Sequence, residues 1–84
     1  MYDVQIKPAV RRQIRNLSKQ VQPAIVAALE ALAGDPRPHG VRKLTGSADL
    51  YKIRVGEYRV VYQVRDEELQ VLVVRVAHRK DAYR

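Results

Sequence analysis

Three runs of β-branched and aromatic residues, LYKIRV (50–55), YRVVYQV (58–64) and LQVLVVRV (69–76), follow one another almost without interruption. Gly56-Glu57 alone separates the first two, and the segment around Asp66-Glu67-Glu68 separates the second from the third. Connections this short suit tight hairpins, so the second half of the chain is predicted to be an antiparallel meander. The third run is apolar at nearly every position, which predicts an interior strand covered on both faces. A further strand, YDVQI at 2–6, alternates Tyr2, Val4 and Ile6 against Asp3 and Gln5 and is the candidate neighbour of that interior strand.

Between them the period changes. Pro8 suits the first turn of a helix, where its missing N–H costs nothing. Val10, Ile14, Leu17 and Val21 then mark one apolar face, with Arg11, Arg12, Arg15 and Lys19 directed away from it. The pattern breaks around 18–23 and restarts at Pro23 with a second stripe of Ile25, Ala28, Leu29 and Leu32, ended by Gly34-Asp35-Pro36. Two short helices packed as a hairpin are expected, followed by a loop over 37–49 anchored by Val41 and Leu44. The whole reads as one α+β domain over residues 1–84, with two N-terminal helices on a four-stranded, mainly antiparallel sheet in the order β-α-α-β-β-β. A chain of 84 residues buries only about 60 to 65 per cent of its unfolded surface, so its stability margin is thin.

Charge gives the first functional direction. Sixteen Lys plus Arg stand against nine Asp plus Glu, for a formal net charge of +7, and eleven of the sixteen are arginine. Such a surplus favours a polyanionic partner through counterion release, and arginine forks onto phosphate. In LYKIRV a period of two puts Tyr51, Ile53 and Val55 on one face and Lys52 and Arg54 on the other. A two-residue turn at Gly56-Glu57 pairs Val55 with Tyr58, Lys52 with Val61 and therefore Arg54 with Arg59. Like charges directly opposed cost a few tenths to about 1 kcal/mol, so an anion is expected there. A two-residue turn at Asp66-Glu67 would extend this face to Val74, Val76 and His78, with Arg79 and Tyr83 close behind. Charges on an edge strand also discourage aggregation, which is the alternative reading of Lys52 and Arg54.

No cysteine is present, so neither disulfides nor thiol chemistry arises. No apolar run approaches the ~18 residues of a membrane span, and the N-terminus lacks signal-peptide features, so a cytoplasmic protein is expected. Two isolated histidines without an Asp/Glu cluster predict neither a metal site nor a cofactor.

The run LYKIRVGEYRVVYQVRDEELQVLVVRVAHRKDAY resembles the core of RelE-type toxins of bacterial toxin–antitoxin pairs, and the helical half with its KLTGSADLYK lead-in is also similar to that family. The resemblance implies ribosome-dependent cleavage of messenger RNA in the decoding site, by metal-free attack of a ribose 2′-hydroxyl on the adjacent phosphate. It implies a cognate RelB-like antitoxin whose helical segment wraps the toxin, with the ribosome and mRNA as further partners. Carried over position by position, it places functional residues at Lys52, Arg54, Arg59, Arg79 and Tyr83. Arg59 and Arg79 would hold phosphate oxygens, Lys52 would add a point charge, and Tyr83 would stack on a base or bond the 2′-hydroxyl. Where some relatives have lysine as a candidate base, this chain has Arg54, a poor proton acceptor. His78 is expected to share acid–base duty, because histidine is the side-chain type suited to proton transfer near neutral pH.

Arg11, Arg12, Arg15, Lys19, Lys43 and Lys80 are candidate RNA contacts, with a solvated helix face the competing reading for the helical four. His39 reads as a structural loop residue, and Tyr51, Tyr58 and Tyr62 as core or antitoxin contacts. ParE-type toxins share the fold but inhibit DNA gyrase without nuclease chemistry, and generally lack this basic set and terminal tyrosine; they are the alternative.

Overall fold

The structure, a computed structural model, describes residues 1–44, 46 and 49–82. Strand β1 (Asp3–Ile6) leads through helices α1 (Pro8–Arg15) and α2 (Gln22–Gly34) to β2 (Arg42–Lys43), the meander β3 (Leu50–Val55), β4 (Tyr58–Arg65) and β5 (Gln70–His78), and a helical turn α3 (Arg79–Ala82). The sheet order is β1-β5-β4-β3-β2, parallel only between β1 and β5.

The local signals behave as expected. Pro8 occupies the first turn of α1. Arg12 and Arg15 lie in its last turn, where positive charge suits the carbonyl end of the helix dipole. The break between the helices is held by the Gln22 side chain, which donates to the carbonyls of Leu17 at 2.7 Å and Arg15 at 3.2 Å, satisfying acceptors near the end of α1. Val10 and Ile14 from α1 and Ile25, Leu29 and Leu32 from α2 are buried against Val60, Tyr62, Val64, Val71, Val73 and Val76 of the sheet. Each such side chain contributes about 1.5 to 3 kcal/mol on leaving water.

Three expectations are corrected. The sheet has five strands, because the loop after α2 adds Arg42–Lys43 antiparallel to β3. β5 is interior, between β1 and β4, but buried on one face only: Val71, Val73 and Val76 point into the core, whereas Arg75 is exposed. Its near-continuous apolarity reflects a half-buried outer row, Leu72 and Val74, rather than a second covering layer. A helical turn, α3, follows β5, an element that the expected order β-α-α-β-β-β does not contain. No helix among the described residues is long and apolar enough to cross a membrane.

Candidate functional site

The register of the first hairpin is the one the two-residue turn dictates. Gly56 has φ +59°, the left-handed conformation that primed hairpin turns require and glycine supplies without strain. Val55 pairs with Tyr58, Arg54 with Arg59, and Lys52 with Val61. Tyr51, Ile53 and Val55 pack on the core side, so Lys52, Arg54 and Arg59 stand on the face that the helices leave uncovered.

The second hairpin departs from expectation. Its turn runs from Asp66 to Leu69, with Arg65 paired to Gln70, and a bulge interrupts the ladder between Val61 and Tyr62. The longer turn alone shifts the register by two and would leave every face assignment intact. The bulge adds one more residue to β5 and inverts the assignment beyond it. Arg59 therefore faces Ala77, and Val61 faces Arg75, while Val76 pairs with buried Val60 and His78 with Tyr58. Val76 and His78 thus lie on the core-side row and not beside Arg59, and Val74 falls at the bulge itself.

The uncovered face carries a groove of about 530 Å³ lined by Gly40, Arg42, Lys52, Ile53, Arg54 and Arg59. Arg42 is a cation that sequence reasoning missed. It pairs with Lys52 and so shares its face, whereas Lys43, named as a candidate RNA contact, pairs with Tyr51 and shares the opposite one. In the sequence, Arg42-Lys43 is an undifferentiated basic pair; only the pairing of β2 tells the two apart.

Arg79 is not among the groove's lining residues, but the backbone ties it to the hairpin that carries Arg54 and Arg59. Its N–H donates to the Glu57 carbonyl at 2.6 Å, tying the start of α3 to the tip of the β3–β4 hairpin, next to Arg54 and Arg59. His78 precedes it: the imidazole ring lies 5.2 Å from the Tyr58 ring, nearly perpendicular to it, and Nδ1 accepts the backbone N–H of Lys80 at 3.2 Å. Tyr83 lies outside the described residues. Of the remaining candidates, Arg12, Lys19 and Lys80 are exposed, and Arg11 and Arg15 line a separate groove between β1 and the helices, beside Asp3 and Glu30. These two are apart from the cationic face.

At the other end of the sheet a second charged cluster is internally compensated. Arg37 donates from both terminal nitrogens to Asp66 (3.0 and 2.8 Å) and from Nε to the Tyr51 hydroxyl (3.0 Å), and the Tyr2 hydroxyl donates to Asp66 at 2.6 Å. The Arg37 and Tyr2 hydrogen bonds hold the Asp66 carboxyl down at about 2, and the same carboxylate raises the Tyr2 phenol. Tyr51 stacks on Tyr62, whose buried hydroxyl donates to the Pro36 carbonyl at 2.7 Å. Burial pushes the Tyr62 phenol up to about 12. Among the described residues no three His, Cys, Asp or Glu side chains converge as metal ligands.

A family model described as "ParE toxin of type II toxin-antitoxin system, parDE" matches residues 4–83. Toxin RelG of Mycobacterium tuberculosis is 32% identical over 84 residues, covering 99% of this chain and 97% of that protein. The isolated RelE toxin of Escherichia coli superposes with a TM-score of 0.81 at 31% identity, covering 93% of this chain and 84% of that one. A chain of the archaeal RelE–RelB complex from Pyrococcus horikoshii gives a TM-score of 0.84 at 29% identity over 93% of this chain and 94% of that one. With a family match across nearly the whole chain and RelE-type relatives alike in sequence and fold, the chain belongs to the RelE/ParE family of type II toxins and is of the RelE type.

Proposed function

We propose that the protein is a ribosome-dependent endoribonuclease that cuts messenger RNA in the decoding site, held in check by a cognate RelB-like antitoxin in the cytoplasm. The observation that carries this reading is the opposed pair Arg54–Arg59, joined by Lys52 and Arg42 in one groove. A surface built for stability alone would not set two guanidinium groups across from each other, and a phosphodiester backbone offsets the repulsion.

In the proposed reaction the ribose 2′-oxygen bonds to phosphorus as its proton leaves. The P–O5′ bond then breaks, and a proton reaches the departing 5′-oxygen, giving a 2′,3′-cyclic phosphate and a free 5′-hydroxyl. Lys52, Arg54, Arg59 and Arg79 stabilise the dianionic pentacovalent arrangement, with the guanidinium groups on nonbridging oxygens and Lys52 as a mobile charge. Tyr83 stacks on a displaced base or bonds the 2′-hydroxyl. A guanidinium does not deprotonate a hydroxyl, so the proton steps fall to Lys52, Tyr83 or groups of the ribosome. Arg42 and Lys80 extend contact with the message, and Arg11, Arg12, Arg15, Lys19 and Lys43 contact ribosomal RNA phosphates as a diffuse electrostatic term.

The antitoxin assignment draws on relatives that were solved as RelE–RelB complexes. The decisive experiment adds the protein to ribosomes programmed with a defined message and maps the cut, beside Arg79→Ala and ribosome-free RNA. Cleavage only on ribosomes, lost in the variant, is expected. An intact message together with blocked DNA supercoiling would instead assign the chain to gyrase inhibition.

A further inference from the structure

His78 sits where an acid–base residue was expected, yet its geometry is that of a brace. Its Nδ1 accepts the Lys80 N–H, so the neutral ring carries its proton on Nε2. Register puts the ring on the core-side row opposite Tyr58, against which it packs edge to face, while Arg59 stands on the other face opposite Ala77. A proton-transfer group has to come within hydrogen-bond reach of the reacting oxygens. An imidazole turned to the other side of the sheet, with one nitrogen already engaged, is poorly disposed for that.

We propose that His78 is a positioning residue: by capping the Lys80 N–H and packing on Tyr58, it fixes the turn that presents Arg79 beside the hairpin that carries Arg54 and Arg59. The turn is then held from two sides, by the Arg79 N–H on the Glu57 carbonyl and by the Lys80 N–H on His78. A side-chain acceptor preceding a helical turn is the role that asparagine, aspartate and serine usually fill. Histidine adds a ring that Tyr58 can clamp.

This role rests on the proposed ribosomal cleavage for its kinetic consequence but not for its structural one, so the test has two arms. In single-turnover cleavage on programmed ribosomes, His78→Asn, which keeps a side-chain acceptor for the Lys80 N–H, should cut within a few-fold of the parent. His78→Ala should lose about five-fold or more, the population effect of a missing cap. Loss of two orders of magnitude or more in both variants would overturn the proposal in favour of proton transfer. In the free protein, ¹⁵N imidazole shifts should report the Nε2–H tautomer, with the Lys80 amide protected from exchange in the parent and His78→Asn but not in His78→Ala. An Nδ1–H tautomer or an unprotected Lys80 amide in the parent overturns the proposal. That arm reads out even if the parent cuts no message, which would refute the cleavage reading alone.

Discussion

The two ends of the sheet treat positive charge in opposite ways. At the β4–β5 turn, Arg37 is matched by the carboxylate of Asp66 and by the hydroxyl of Tyr51, and the Tyr2 hydroxyl completes the set. At the β3–β4 turn, Arg54 faces Arg59, with Lys52 and Arg42 in the same groove and Arg79 tethered alongside. Lys52, Arg54 and Arg79 make no side-chain ion pair or hydrogen bond among the described residues. The first end joins β1, the loop after α2 and the meander, so its contacts serve the fold. The second sets two guanidinium groups directly across from each other, a repulsion that the proposed RNA phosphate would offset.

Four changes would break or sharpen this contrast. The largest effect is expected at the compensated end from Tyr62→Ala, which empties a fully buried site and removes the hydroxyl bonded to Pro36. A loss of about 3 to 5 kcal/mol is expected from denaturant unfolding. At the cationic end, Arg79→Ala should leave the unfolding midpoint in place while lowering ribosomal cleavage on the order of 10²- to 10³-fold. An equal loss of stability would place Arg79 with the structural residues instead.

Arg54→Thr should move the two properties in opposite directions. Removing one of the opposed guanidiniums raises stability by about 0.2 to 1 kcal/mol and slows cleavage. Added salt should stabilise the parent more than the variant, because it screens the repulsion that the variant lacks. The smallest effect is expected from Asp66→Asn. The Asp66 carboxyl titrates at about 2 in the folded chain against an ordinary 3.8, so its stabilising contribution is present above the ordinary value and is lost as the pH falls through about 2. The pair is exposed, 40% and 55% for the two side chains, so solvent screens it. The variant should therefore unfold slightly more easily at neutral pH, lose less stability than the parent on acidification, and cut RNA at the parental rate.

Much of the fold was legible because its signals are local. Alternation in YDVQI, the breaks at Pro8, Pro23 and Gly34, and the two-residue spacing at Gly56-Glu57 each reside within a few residues, and the pairing of Arg54 with Arg59 followed from turn length alone. The strand β2 was not legible, since a two-residue strand carries no periodicity and exists only because β3 offers an open edge. The Arg37 cluster was equally hidden, because Tyr2, Arg37, Tyr51 and Asp66 are brought together by four separate segments.

The sequence by itself determined the meander, the helical pair and the face on which Lys52, Arg54 and Arg59 gather, because side-chain alternation and a tight turn leave a strand no other register. Tertiary structure decided which side of the sheet His78 takes, that Arg42 rather than Lys43 joins the groove, and that Arg79 begins a helical turn tied to Glu57. A single extra residue in β5 inverts every face beyond it. Whether a strand absorbs that residue as a bulge depends on the packing of Val60, Tyr62, Val73 and Val76 against helices distant in the chain, which no local pattern encodes.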